Sequence, residues 1–259
     1  MWPTKGQGDG TMSYLSGVFF ALTDKGVVRD TNEDSVLTLV NAYGNVLLAV
    51  ADGMGGHNKG EYASDYTLKK FEEAFQNLEE EFTSDKKVNK WIYKVVKEIN
   101  DNLFAKANKE EEYKGMGTTL SLALIIKDRL YLAQIGDSRV YVVSDNKIKQ
   151  ISVDQTYATY LVHSNKIKAE EASVHKNRHA LTNALGTKKI VNVDINDFAY
   201  NKEKILLCSD GLYNNVPVSI IESILRGNDT LDKKCRQLIT FGNANGGSDN
   251  MAVVIWESY

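Results

Sequence analysis

Apolar residues along the chain fall into two periods. GVFFAL (17–22), SVLTLV (35–40) and NVLLAVA (45–51) are short runs rich in Val, Leu and Phe, the signature of strands. Three- and four-residue steps follow. Leu68, Phe71, Phe75, Leu78 and Phe82 form one stripe, and Val88, Trp91, Ile92, Val95, Val96, Ile99 and Leu103 form a second. Lys and Glu fill the opposite face of each, so both predict helices that bury one side. Strand-like runs return at TLSLALII (119–126), RLYLAQI (129–135), RVYVV (139–143) and KIKQIS (147–152). Lys127-Asp128 and Asp145-Asn146 between them read as hairpin turns. Residues 155–190 read as mixed helix and loop. Strands at 193–199 and 204–209, helices at 218–226 and 230–241 and a last strand at 251–256 complete the map.

Strands thus arrive in hairpin-like groups and helices in pairs, without the alternation of βαβ units. The fold class is α+β, an antiparallel sheet covered by antiparallel helix pairs. No proline- or serine-rich linker divides the chain, so residues 17–259 read as a single domain. Residues 1–16, polar and Gly-rich, read as a disordered lead-in.

Composition removes several function classes. Lys+Arg total 31 and Asp+Glu 34 in 259 residues, a net charge of -3, without the basic excess of a nucleic-acid binder. No apolar run approaches the roughly 20 residues of a membrane span. Two cysteines, Cys208 and Cys235, make no disulfide framework, so a reducing, cytoplasmic setting is expected.

The chemistry lies in acids that adjoin apolar strands. LLAVA runs into Asp52-Gly53, ILLCS into Asp210-Gly211 and YLAQIG into Asp137. Asp249 precedes the last strand, and Glu33-Asp34 precede SVLTLV. Taken singly, each Asp-Gly is an ordinary turn and each acid an ordinary cap. Gathered at one sheet edge, they would repel one another and require cations. All-oxygen donors, with the Gly53 carbonyl among them, favour Mg²⁺ or Mn²⁺ over Zn²⁺. Arg29, four residues before Glu33, suits a phosphate gripped bidentately. Paired hard metals beside an arginine suggest phosphate-ester hydrolysis by a metal-activated water, without a Ser, Cys or His nucleophile.

Other patterns carry less. His175 and His179 have zinc-like spacing but lack the glutamate of H-E-x-x-H. Neither cysteine begins a C-x5-R loop, since Asn214 and Phe241 stand at the arginine positions. Gly242–Gly247 has P-loop spacing but is followed by Ser248-Asp249.

Six ordered motifs together resemble one family. They are R-x-x-N-E-D (29–34), A-V-A-D-G-M-G-G-H (49–57), G-M-G-T-T-L (115–120), I-G-D-S-R-V-Y (135–141), L-L-C-S-D-G-L (206–212) and G-S-D-N-M-A-V (247–253). The chain is similar to the metal-dependent (PPM, type 2C) serine/threonine phosphatases, in their bacterial branch. The resemblance implies a four-layer α-β-β-α sandwich of two antiparallel sheets, with a substrate flap at 155–190. It implies that Asp52 bridges two Mn²⁺ or Mg²⁺ ions and the Gly53 carbonyl ligates one. Asp210 and Asp249 would complete one shell, and Glu33 and Asp34 would serve the other ion. Asp137, with Asp210, would hold a third and weaker metal. Arg29 would bind the substrate phosphate, Thr118 and Thr119 would support the site, and Thr182 and Asn183 would lie in the flap. The implied partners are phosphorylated proteins, a bacterial Ser/Thr kinase and its targets among them, acted on by a monomer. A non-catalytic phosphoprotein-binding module, and a metal-dependent phosphatase of small molecules or of a sporulation-type anti-sigma partner, are the competing readings.

The chain departs from the family's pattern at three places. Met54 stands where eukaryotic members place a histidine proposed as general acid, and His57 is the neighbouring candidate. Gln155 replaces the histidine of Asp-His-Ser/Thr. Asn183 stands where the flap motif has an arginine. The last two bear on substrate recognition and rate rather than on metal binding.

Overall fold

A computed structural model describes residues 16–55, 59–144 and 147–259. In chain order the elements are β1 (Gly17–Asp24), β2 (Asp34–Val40), β3 (Val46–Met54), α1 (Lys59–Gln76), α2 (Asp85–Lys109), β4 (Gly117–Thr118), β5 (Leu120–Ile126), β6 (Arg129–Ile135), β7 (Arg139–Val143) and β8 (Ile148–Gln150). They continue with α3 (Tyr157–His163), α4 (Ala169–Ala172), β9 (Asp194–Ala199), β10 (Lys204–Cys208), α5 (Asp210–Asn215), α6 (Val218–Arg226), α7 (Leu231–Ala244) and β11 (Met251–Ser258). The lead-in expected at 1–16 lies, apart from Ser16, outside the described residues, as do His57 and the Asp145-Asn146 turn.

The strands form two antiparallel sheets. One runs β1-β11-β10-β7-β8 and the other β2-β3-β5-β6-β9, with β4 paired to the end of β3. Three apolar layers separate the elements. Val46, Leu48 and Val50 of β3 meet Leu207, Val254 and Trp256 between the sheets. The alternate residues Leu47, Ala49 and Ala51 face outward to Phe71, Ile92 and Ile99 of α1 and α2. On the far side Leu206, Val253 and Ile255 pack against Leu212, Ile221 and Leu238 of α5, α6 and α7. The inner strands β3, β5, β6, β10 and β11 are buried on both faces, which explains why their apolar runs are continuous rather than alternating. The expected four-layer α-β-β-α sandwich of the α+β class is the observed architecture.

Two boundaries differ from the periodicity. The first helix ends at Gln76, before Leu78 and Phe82. Asn77 makes the last bond of helical spacing, its N–H donating to the Glu73 carbonyl at 3.1 Å, and its side-chain amide donates to the same oxygen at 2.9 Å. Phe82 is buried all the same, edge-on to Trp91 at 5.5 Å between ring centroids. The same helix begins at Lys59, well before Leu68, and its first turns bury Gly60, Ala63, Ser64 and Thr67. Those positions keep helical spacing, but small residues give no apolar signal.

Candidate active site

The site grows from the register of β2 and β3. Asp34 is the Cα partner of Asp52 in that ladder, so two carboxylates share one rung. Such a like-charged pair is unfavourable unless neutralised. The backbone of Asp52 is fixed on its other side by two threonines. Its N–H donates to Thr119 Oγ1 at 2.9 Å, and its carbonyl accepts from the Thr118 hydroxyl and the Thr119 N–H, both at 2.9 Å. Thr119 Oγ1 in turn lies 2.8 Å from Ser138 Oγ, beside Asp137.

Close backbone approach builds the next part. Gly53 donates its N–H to the Glu33 carbonyl at 3.1 Å. A Cβ on Gly53 would fall 2.2 Å from the Gly60 carbonyl oxygen, and one on Gly60 would fall 2.6 Å from the Gly53 carbonyl carbon. Only glycine at both positions lets the start of α1 press on the end of β3. Ser64 closes the same corner by donating to the Glu33 carbonyl at 2.6 Å.

Asn250 ties in the loop that carries Arg29. Its Oδ1 accepts from the Glu33 N–H at 2.9 Å, while Nδ2 donates to the carbonyls of Lys25 and Thr31, both at 2.8 Å. Next to it, Asp249 holds Arg29 Nη2 at 2.7 Å, with Arg29 half-exposed at 52%. From the other sheet the Ser209 hydroxyl donates to Asp34 Oδ2 at 2.6 Å. Asp210 opens α5 directly after it, in a turn so tight that a Cβ on Gly211 would lie 1.9 Å from the Asn250 carbonyl oxygen. Asp137 is buried, and its carbonyl accepts from the Tyr213 hydroxyl at 3.1 Å. Tyr213 itself lies under the Arg139 guanidinium, 3.5 Å from ring centroid to Cζ, and Arg139 is paired with Asp154 at 2.7 Å.

The acids act on one another. Burial, then the charges of Asp34, Asp210, Asp137 and Asp249, push Asp52 well above the ordinary carboxylate range. Burial raises Asp34 too, against the Ser209 hydrogen bond, with Asp210, Asp249 and Glu33 adding to the rise. Asp210 is raised by burial and by Asp249, and Asp137 is pushed up to about 7 by burial and by Asp210. Glu33 is raised chiefly by burial, and its Oε1 is buried without a hydrogen-bond partner.

Among the described residues, no three His, Cys, Asp or Glu side chains stand together so as to hold a metal ion between them. The acids share one field rather than one tight cage. The donor set nonetheless fits hard divalent cations. It is all oxygen, it includes the orphaned Glu33 Oε1, and its mutual repulsion needs added positive charge.

Arg29, Glu33, Asp34, Asp52, Gly53, Asp137, Asp210 and Asp249 are therefore all brought to one end of the sandwich. Thr182 and Asn183 are not part of this cluster. The Thr182 N–H and hydroxyl both donate to the Gln155 carbonyl at 2.8 Å, and Asn183 Nδ2 donates to Gln155 Oε1 at 2.8 Å. The two unusual residues Gln155 and Asn183 thus bond to each other. Met54 pairs with Gly117 at the edge of the site. The sequence reading missed Asn250, Ser138 and Ser209. Neutral residues beside the acidic motifs carry no charge pattern, and only adjacency to Asp137, Asp210 and Asp249 pointed to them.

Comparison with known proteins identifies the family of the whole chain. Residues 27–252 match the family described as protein phosphatase 2C. The serine/threonine phosphatase stp of Listeria welshimeri is 34% identical over 236 residues, covering 91% of this chain and 93% of that protein. The solved S. agalactiae serine/threonine phosphatase superposes with a TM-score of 0.87 at 29% identity, covering 94% of this chain and all (100%) of that one. The catalytic domain of the serine/threonine protein phosphatase PstP, solved in complex with 2 manganese ions, gives a TM-score of 0.81 at 32% identity, covering 94% of this chain and 99% of its own.

Proposed function

The chain belongs to the protein phosphatase 2C family, and from that premise we propose that it hydrolyses phosphoserine and phosphothreonine in proteins, using Mn²⁺ or Mg²⁺. The observation that carries this reading is the field of carboxylates that raise one another, Asp34 and Asp137 buried within it, with Arg29 at its rim.

Asp52 would be the central ligand, with the Gly53 carbonyl beside it. Asp210 and Asp249 would help hold one ion, and Glu33 and Asp34 would serve a second. Asp137, with Asp210, would hold a third and weaker ion. When bound, the ions supply Lewis acidity, lowering the pKa of an attacking water and neutralising charge on the phosphoryl oxygens. The protein's own residues do the rest. Thr118 and Thr119 fix the direction of Asp52 through its backbone. Asn250 holds the 25–33 loop so that Arg29 stays at the rim. Arg29 is engaged through Nη2 by Asp249 and grips the substrate phosphate with its fork. Residues 155–190 form the flap over which the phosphoprotein lies.

The substrates are phosphorylated proteins, a Ser/Thr kinase and its targets among them, and the enzyme acts as a cytoplasmic monomer. Among the described residues no helix is long and apolar enough to cross a membrane, and Cys208 and Cys235 are free and buried.

The test is phosphate release from a phosphothreonine peptide in saturating Mn²⁺, with and without EDTA, beside D210N. Release that needs both metal and Asp210 is expected. A folded, Mn²⁺-binding protein that holds the phosphopeptide without releasing phosphate would instead be a phosphoprotein-binding module. Much faster turnover of small phosphate esters than of phosphopeptides would count against protein substrates.

A further inference from the structure

One side chain outside the carboxylate field has every polar group engaged, and its partners come from three separate stretches of chain. The Gln155 backbone N–H donates to the Gly136 carbonyl at 2.9 Å, and Gln155 Oε1 accepts from the Gly136 N–H at 2.9 Å. Its Nε2 donates to Asp194 Oδ2 at 2.7 Å and to the Gln134 carbonyl at 3.3 Å. Oε1 also accepts from Asn183 Nδ2 at 2.8 Å, and that amide donates in addition to the Asn192 carbonyl at 2.6 Å. Thr182 completes the ring with its two bonds to the Gln155 carbonyl.

Both ends of the 155–190 segment therefore close on the same amide that clamps Gly136. Gly136 has φ +89 and directly precedes Asp137, and a Cβ there would lie 2.6 Å from Thr119 Cγ2. Thr119 is one of the two threonines that fix Asp52. Gly136 is thus confined between the support of Asp52 and the root of the segment. Gln155 Oε1 is shared between Asn183 and Gly136, so a shift of the segment disturbs the bond that holds the Asp137 turn.

We infer that Gln155 is a positioning residue that couples the seat of the 155–190 segment to the placement of Asp137. Its consequence for catalysis rests on the phosphatase reading. The mechanical coupling does not.

The Gly136 amide reports the coupling directly, because its hydrogen points at Gln155 Oε1. Amide exchange is followed by NMR on the metal-free full chain, comparing wild type, Q155A and N183A. Q155A removes the acceptor, and exchange at Gly136 should rise roughly tenfold, the loss of about one hydrogen bond. N183A removes no atom that touches Gly136, yet exchange there should also rise several-fold, roughly half that effect on a logarithmic scale. Exchange at Leu206 in β10, remote from the node, serves as the control for an intact fold. An N183A chain with wild-type exchange at Gly136 would overturn the coupling, and this arm stands even if Q155A does not fold.

A second arm reads function. Both variants should require more Mn²⁺ for half-maximal activity and show a higher KM for the phosphopeptide. Q155E reverses the contact with Asp194 into repulsion, and adding D194N restores a donor–acceptor pair there. Q155E should lose activity and Q155E/D194N should recover part of it. Absence of rescue, with the exchange result intact, would limit Gln155 to a structural role. Failure of the phosphatase reading is distinguishable, since it silences wild type and variants alike and leaves the exchange arm unchanged.

Discussion

The Ser209 hydroxyl donates to the Asp34 carboxylate at 2.6 Å, joining the end of β10 in one sheet to the start of β2 in the other. The same Oγ accepts from the Ala252 N–H at 2.8 Å, so one small side chain links three strands and both sheets. Ser209 is fully buried at 0% exposure, and neither of its partners has water as an alternative. Replacement by alanine leaves a buried N–H and a buried carboxylate each short of a partner. S209A should lower stability by about 1–3 kcal/mol and weaken Mn²⁺ binding, as read by urea unfolding and metal titration. Unaltered values for both would show that the bridge between the sheets is redundant.

Asp52 separates stability from activity. Desolvation and then four neighbouring acids push its carboxylate upward. D52N keeps the shape and removes the ionisable group. The metal-free variant should be at least as stable as wild type by thermal unfolding, while phosphate release falls by roughly 10²–10³-fold or more. Turnover near the wild-type level would remove Asp52 from the centre of the site.

Asp137 gives the metal-free protein a pH dependence of defined sign. Burial and Asp210 raise it from 3.8 to about 7 in the folded state. Folding therefore binds a proton between those values. The stabilisation is full below about pH 4 and is lost as pH rises through 7. The metal-free melting temperature should carry a falling contribution across that interval, and D137N should flatten it. Mn²⁺, which favours the ionised carboxylates, should oppose the loss at neutral pH. An identical pH slope in D137N would show that Asp137 is not held protonated.

Asn250 holds the loop of Arg29 without a charge of its own. N250A frees the Lys25 and Thr31 carbonyls and the Glu33 N–H. Three lost bonds at about 1 kcal/mol each predict a loss of roughly 2–3 kcal/mol in stability. KM for a phosphopeptide should rise more than kcat falls, because Arg29 loses its fixed position while Asp52 keeps its threonines. A fall in kcat alone would place Asn250 with the metal ligands instead.

Much of this was written in the chain. The continuous runs at 45–51, 119–126 and 251–256 fixed the central strands, because burial on both faces admits only apolar residues there. The acids at 33–34, 52, 137, 210 and 249 marked the site for the converse reason, since a carboxylate beside such a run has a cost that only neutralisation offsets. Local sequence could not show that Asp34 and Asp52 share a rung, since register depends on the whole β2–β3 ladder. It could not show that Gly60 must be glycine because β3 passes within contact distance of α1. Nor could it show that Gln155 and Asn183, two separate oddities along the chain, form one hydrogen bond. Polarity and period are properties of neighbouring residues and can be read in one dimension. Close approach, shared burial and the mutual charge of distant acids exist only once the two sheets are stacked, and those decided the site.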